Sequence, residues 1–131
     1  MNYSVKIVGC GSIGNHLANA ARFRNWNVTM CDIDQEAIRR TVDEIYPSRY
    51  GAWDPEIKIG FTNEFKSEKY DVVVVGTPPD THIQIAQEEI KRSSPKIIMI
   101  EKPMSDPGFT NFERIQALAQ ASDCRLLVAY N

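Results

Sequence analysis

Val5-Lys6-Ile7-Val8-Gly9-Cys10-Gly11-Ser12-Ile13-Gly14 decides the fold. A short run that reads as a buried strand leads straight into three glycines spaced G-x-G-x-x-G. A helical pattern follows over 12–23, with Ile13, Leu17 and Ala20/Ala21 recurring at helical spacing. A second apolar run, 28–31, then ends on Asp32. The glycine pattern alone is weak. A strand before it, a helix after it and an acid roughly 20 residues on make it specific. Gly9 permits the tight turn, Gly11 has no Cβ to hold a phosphate away from the backbone, and Gly14 lets the helix pack near the strand. The start of that helix, at Ser12 and Ile13, offers free N–H groups and the positive end of a dipole. The competing reading is a glycine-rich strand–helix turn with no ligand.

Working outward, Asp34 reads as a helix N-cap, with Ala37, Ile38, Val42 and Ile45 as the next apolar stripe and Pro47 as its end. Residues 48–56 read as irregular, leading into a strand over 57–61. Val72-Val73-Val74-Val75 is β-branched throughout and apolar on both faces, as a parallel strand covered from each side requires. Thr81-His82-Ile83-Gln84 resembles a capping box ahead of a helix carrying Ile83, Ile85, Ala86 and Ile90. A strand over 97–100 comes next. Asp106-Pro107 is expected to open the last helix, with Phe112, Ile115, Leu118 and Ala119 turned inward, and 126–129 forms the last strand. This alternation predicts an α/β, doubly wound parallel sheet of about six strands in the order 3-2-1-4-5-6, with helices on both faces.

The 131 residues fit one domain, and 43% hydrophobic with 24% charged residues is an ordinary composition for a chain with a buried core. A net charge of -2 gives no general attraction to nucleic acid or to anionic membranes, so neither is expected as a partner. No apolar stretch approaches a membrane span, and a strand starting at Val5 leaves no room for a signal peptide. Three widely spaced cysteines, Cys10, Cys31 and Cys124, argue against a disulfide framework and for a reducing, cytoplasmic setting. No pair has metal-ligand spacing, and no metal site is expected. Cys10, inside the turn, reads as a small packing residue rather than a reactive thiol.

In a sheet of this type ligands sit outside the carboxyl ends of the strands, at the switch point between the two halves. The strand tails therefore supply the candidate site: the glycine turn, Asp32 with Ile33, Gly76-Thr77-Pro78-Pro79-Asp80-Thr81-His82, Glu101-Lys102-Pro103 and Tyr130-Asn131. Asp32 can accept hydrogen bonds from both hydroxyls of an adenosine ribose, whereas a 2′-phosphate would meet its like charge. The nearest cations, Arg39 and Arg40, lie a helical turn or more away in sequence, which favours NAD over NADP. The alternative is that Asp32 only caps the next helix, a job that Asp34 fits at least as well.

Gly9-Cys10-Gly11-Ser12-Ile13-Gly14, Cys31-Asp32-Ile33-Asp34, Thr77-Pro78-Pro79-Asp80-Thr81-His82 and Glu101-Lys102-Pro103 occur in that order. The chain thereby resembles, over essentially its whole length, the N-terminal Rossmann domain of the glucose-fructose oxidoreductase/inositol dehydrogenase/rhizopine-catabolism (Gfo/Idh/MocA) family. The glycine turn is shared with many dehydrogenases; the TP…H stretch followed by a strand and EKP is more specific. The resemblance implies a cofactor site made of Gly9, Gly11, Ser12, Ile13, Gly14, Asp32 and Ile33, with Thr77, Pro78 and His82 bordering the nicotinamide. Glu101 and Lys102 are expected at the nicotinamide ribose and substrate, with Lys102 as the catalytic residue beside the substrate hydroxyl. The peptide bond before Pro103 is expected to be cis. The bland alternatives are a solvated cation at Lys102, a local hydrogen bond at His82, and surface packing rather than ligand stacking at Tyr50 and Trp53.

The implied activity is hydride transfer between NAD and a secondary hydroxyl of a sugar, cyclitol or related polyol. The family has a second, C-terminal substrate domain that is absent from these 131 residues, which resemble half an enzyme; a piece of a longer chain and a free-standing cofactor-binding protein both fit. The chain alone is therefore expected to bind cofactor with little or no turnover, and self-association into a homo-oligomer is left open. Other readings are a non-enzymatic NAD-binding sensor or assembly module, and a different ligand such as S-adenosylmethionine, which nothing after the glycine turn specifically supports.

Overall fold

The computed structural model describes residues 2–129; Tyr130 and Asn131, expected to follow the last strand, lie outside the described residues. Its six strands are β1 (Ser4–Val8), β2 (Asn27–Asp32), β3 (Lys58–Phe61), β4 (Val72–Val75), β5 (Ile97–Glu101) and β6 (Arg125–Ala129). All pair in parallel in the order β3-β2-β1-β4-β5-β6, as the alternation predicts. The helices are α1 (Ser12–Phe23), α2 (Gln35–Arg40), α3 (Tyr46–Tyr50), α4 (His82–Ser93) and α5 (Phe112–Ala121).

Period-two alternation sends the strand side chains to two cores. Val5, Ile7, Val28, Met30 and Val74 pack with Ala18 and Ala21 of α1, Ala37 of α2 and Tyr46 of α3. Val8, Cys31, Val73, Val75, Ile98 and Ile100 pack with Ile83, Ala86 and Ile90 of α4 and Ile115 and Ala119 of α5. β1 and β4 are neighbours in the sheet although the chain between them runs out to β3 and back. Their adjoining tails form the switch point.

Five local expectations need correction. The face that α1 presents to the sheet is not led by Ile13 and Leu17, which are half-buried, but by Gly14, Asn15, Ala18 and Ala21. These small residues bring the helix close to the sheet: a Cβ on Gly14 would collide with the Gly9 carbonyl and lie 3.2 Å from Ile7 Cγ2. Pro47 does not end its helix. A π-turn over Thr41–Ile45 follows α2, and the chain stays helical through Pro47 into α3. Residues 48–50, expected to be irregular, are thus helical.

Thr81 makes no capping box. Its hydroxyl donates to Pro78 O at 2.6 Å, closing a 3-10 turn over Pro79–Thr81 that leads into α4. Asp106-Pro107 does not open α5 either. The Asp106 carboxylate accepts from Thr110 N and Oγ1 at 2.9 and 2.8 Å, bonds that hold its carboxyl below the usual range. Phe109 and Asn111 then take left-handed backbone angles (φ 53 and 63), so the helix starts only at Phe112.

Candidate functional site

The strand tails meet around the glycine turn. Gly9 N donates to Cys31 O at the end of β2, and Gly76 N donates to Val8 O at the end of β1, both at 2.8 Å. Gly9 is thus wedged between neighbouring tails with φ at +111, and a Cβ there would lie 2.6 Å from Gly76 O. Gly11 is the opposite case. It is the N-cap of α1 in extended conformation (φ -92), and a Cβ added to it meets nothing within 4 Å. Free space, not packing, surrounds that position, and no side chain caps the N–H groups of the first turn. Beneath the turn, Asn15 Nδ2 donates to Gly11 O at 2.8 Å and to Thr41 Oγ1 at 3.2 Å, while Thr41 Oγ1 donates to Cys10 O at 3.2 Å. Both side chains are wholly buried, so the turn is braced from the protein interior.

Asp32 closes one side of this turn. Its Oδ2 accepts from Cys10 N at 2.8 Å and its Oδ1 from Asp34 N at 2.9 Å. Each oxygen keeps a second lone pair for a ligand hydroxyl. Asp34, not Asp32, caps α2, its Oδ1 accepting from Glu36 N at 3.0 Å. Ile33 beside them is exposed. Burial, reinforced by the Asp32 charge, pushes the Cys10 thiol up to about 12, and burial pushes the Cys31 thiol up to about 11. Both stay neutral at physiological pH and pack as small apolar groups.

A cleft of about 820 Å³ opens over these tails. Its walls include Gly9, Cys10, Gly11, Asp32 and Ile33 on one side and Gly76, Thr77, Pro78 and Thr81 on the other. It runs on past Phe61, Thr62, Lys66 and Ile85 to Glu88, Glu89 and Arg92 of α4. Between β3 and β4 the chain holds only a 3-10 turn, Thr62–Phe65, and the cleft extends beside it. Arg40 also lines the cleft. Arg39 instead turns to Glu36, Asp43 and Glu44 on the exposed face of its helix.

Ser12, Ile13, Gly14, His82, Glu101 and Lys102 are not among the cleft walls. His82 is wholly buried below them, with Nδ1 2.9 Å from Pro103 O and Nε2 2.5 Å from Thr77 O. The ring therefore bridges the loop after β4 to the loop after β5. The Lys102–Pro103 bond is cis. Lys102 is exposed, and Glu101 is half-buried with Oε2 buried and without a partner. Asp32 ends β2 and Lys102 follows β5, strands three places apart in the same sheet, roughly 14 Å at the usual ~4.8 Å spacing, and both lie at the carboxyl ends of the strands. Tyr50 and Trp53 pack edge-on against Tyr46, with ring centroids 4.8 and 5.2 Å away.

Two features escaped the reading of the sequence. Lys6 of β1 is 1% exposed and its Nζ lies 2.8 Å from Glu89 Oε1 of α4. The signal was there: a lysine inside a strand buried on both faces needs a partner. Arg49 of α3 donates to Ser12 O at 2.9 Å and to Ser12 Oγ at 2.8 Å. No local pattern joins residues so far apart. Among the described residues no group of three or more His, Cys, Asp and Glu side chains could hold a metal, and no helix is long and apolar enough to cross a membrane.

Residues 3–130 match the model of the Gfo/Idh/MocA oxidoreductase family, described as an NAD-binding Rossmann fold. No curated protein matches the chain significantly. Among solved structures, the WlbA dehydrogenase of Bordetella pertussis, in complex with NADH and UDP-GlcNAcA, superposes with a TM-score of 0.74 at 22% identity, over 98% of this chain and 37% of its own. The UDP-N-acetylglucosamine 3-dehydrogenase GnnA of Acidithiobacillus ferrooxidans gives 0.75 at 17% identity, over 98% and 37%. A Synechocystis biliverdin reductase, in complex with biliverdin and NADP+, gives 0.70 at 17% identity, over 96% and 37%. The chain spans just over a third of the length of each, and at these identities the likeness is one of fold. The family model covers nearly every residue, and with the glycine turn, Asp32 and the sheet order it leads to one conclusion: the chain belongs to the Gfo/Idh/MocA oxidoreductase family and forms its NAD-binding Rossmann domain.

Proposed function

We propose that this domain serves an oxidoreductase that moves a hydride between NAD and a secondary hydroxyl of a sugar, cyclitol or related polyol, and that the 131-residue chain binds the cofactor with little or no turnover. The observation that carries the cofactor reading is Asp32. Backbone amides hold its carboxylate against the glycine turn, inside the cleft, with lone pairs to spare for two ribose hydroxyls. The turn fits a pyrophosphate, because the space a Gly11 Cβ would take is open and the first turn of α1 is uncapped. When bound, the nicotinamide supplies the hydride acceptor or donor. Lys102 is the residue proposed to face the substrate hydroxyl, where a cation stabilises negative charge developing on oxygen. Thr77 and Pro78 flank the nicotinamide, and His82, bridging Thr77 and Pro103, holds the two loops in register.

The sugar-nucleotide complexes among the similar structures support a sugar substrate, and three free, buried cysteines support a reducing, cytoplasmic setting.

The cofactor preference is tested by replacing Asp32 with Ser. Arg40 lines the same cleft, so removing the carboxylate leaves a cation in the cleft and no like charge opposing a 2′-phosphate. The wild-type chain is expected to bind NADH at least tenfold more tightly than NADPH. Asp32→Ser is expected to lose roughly tenfold for NADH and gain at least as much for NADPH, each tenfold being about 1.4 kcal/mol. Fluorescence titration with both nucleotides reads this directly. A wild-type preference for NADPH, or an unchanged ratio in Asp32→Ser, contradicts the assignment.

A further inference from the structure

We infer that Arg49 is a phosphate-binding residue of the cofactor site, supplying a full positive charge that the glycine turn itself lacks. This inference rests on the cofactor reading above and goes beyond it, because neither the glycine motif nor the strand tails include this residue.

The turn offers N–H dipoles, but a pyrophosphate bridge carries net negative charge, and a charge-assisted hydrogen bond is about twice as strong as a neutral one. Arg49 reaches Ser12, the first residue of α1, with two nitrogens at once: Nη1 to the backbone carbonyl at 2.9 Å and Nη2 to Oγ at 2.8 Å. A guanidinium carries five N–H donors, so two bonds to Ser12 leave donors over. Arg49 and Ser12 are both exposed; neither lines the cleft itself, and Ser12 directly follows its wall residue Gly11. The cation therefore stands beside the positive end of the α1 dipole, where only an incoming anion gains from both.

The segment that carries Arg49 is built to hold it there. Thr41 fastens one end of the segment under the turn, through Cys10 O and Asn15 Nδ2. Tyr46 fastens the other, buried against α1 with its hydroxyl 3.3 Å from Asn19 Oδ1 and packed edge-on with Tyr50 and Trp53. Between these anchors lies the π-turn Thr41–Ile45. One extra residue in a helical ladder rotates everything after it by about 100°. The π-turn thus sets the phase at which Tyr46 faces the core and Arg49 faces Ser12. π-turns of this kind concentrate at functional sites, and here it has an identifiable product.

The test compares NADH, ADP-ribose and adenosine as probes on the intact chain, wild type against Arg49→Met and Arg49→Lys, at low and at moderate salt. The expected result is a roughly tenfold to hundredfold loss for NADH and ADP-ribose in Arg49→Met, a smaller loss in Arg49→Lys, and unchanged adenosine binding. The salt dependence of NADH binding should also flatten in Arg49→Met, because fewer charges are paired on binding. Thermal unfolding should be unaffected, since the side chain is exposed. If wild type binds NADH and Arg49→Met binds it equally well, the inference is overturned while the cofactor reading stands. If adenosine weakens in parallel with NADH, Arg49 acts through the fold and the inference is equally overturned. If wild type binds none of the three probes, it is the cofactor reading that fails.

Discussion

Replacing Lys6 by Met is expected to cost the domain about 3–5 kcal/mol, the usual penalty for leaving one partner of a buried ion pair alone. Lys6 and Glu89 have side chains only 1% and 4% exposed, at 2.8 Å. The ammonium also lies 5.7 Å from the centroid of the Tyr70 ring, an attraction that an uncharged side chain cannot supply. Arg92 reaches the same Glu89 oxygen at 3.3 Å, which keeps the expected loss toward the lower end of the range. For a domain whose whole stability is about 5–15 kcal/mol, this is a large share. Urea unfolding at neutral pH should show the midpoint fall sharply with an unchanged slope. The pair need not be a net stabiliser. The double replacement Lys6→Met with Glu89→Met swaps two buried charges for apolar side chains and should recover most of the loss. A single variant within about 1 kcal/mol of wild type would show that the buried charge is compensated some other way, and a double variant no better than the single would contradict the coupling.

Gly11→Val should leave the fold intact and remove cofactor binding. The two outcomes separate because the glycines of the turn do different work. At Gly9 and Gly14 an added Cβ would collide with backbone, so changes there damage the protein itself. At Gly11 the backbone is extended and the space is open, so valine fits at a cost of a few tenths of a kcal/mol to about 1 kcal/mol as a poor N-cap. The isopropyl group would then occupy the place where a phosphate must approach the N–H groups of α1. Losing two charge-assisted bonds, each about 1.5–3 kcal/mol, weakens binding at least a hundredfold. Calorimetric titration with NADH beside a thermal melt measures both. Binding that survives in a well-folded Gly11→Val would remove the phosphate from this turn.

The architecture was legible because its signals are local and repeated. Apolar runs such as Val72-Val73-Val74-Val75, bounded by turn residues and separated by helical stripes, fix a parallel sheet, and the handedness of its crossovers then fixes the strand order. Two of the misread capping signals share one cause: a polar side chain with two plausible partners. Asp106 carries a strong helix-start signature, but its carboxylate is taken by Thr110. Thr81 has the spacing of a capping box, but its hydroxyl is taken by Pro78 O. Pro47 is a separate case: it reads as a terminator only if the helix before it is regular, and a π-turn leaves no mark in hydrophobic spacing.

Of the candidate site, the meeting of the glycine turn with Asp32 was legible, for related reasons. Asp32 and the glycines lie on successive strand tails, which topology brings together whatever the details. Arg49 meets Ser12 only because the π-turn sets its phase, and Lys6 meets Glu89 only because α4 packs back over β1 and β4. His82 sits within a motif that points at the cofactor, yet its ring lies buried between two carbonyls. Motif spacing locates a residue along the chain but not the direction of its side chain.

The central claim is that the tails of β1, β2 and β4 converge to hold an adenine dinucleotide. Backbone amide spectra of the 15N-labelled chain, recorded during titration with NADH, test it most directly. The account predicts saturable shifts centred on Gly9, Gly11, Asp32 and Gly76 through Thr81. Shifts confined to the separate groove along Gly108–Arg114, or none at millimolar NADH, would contradict it.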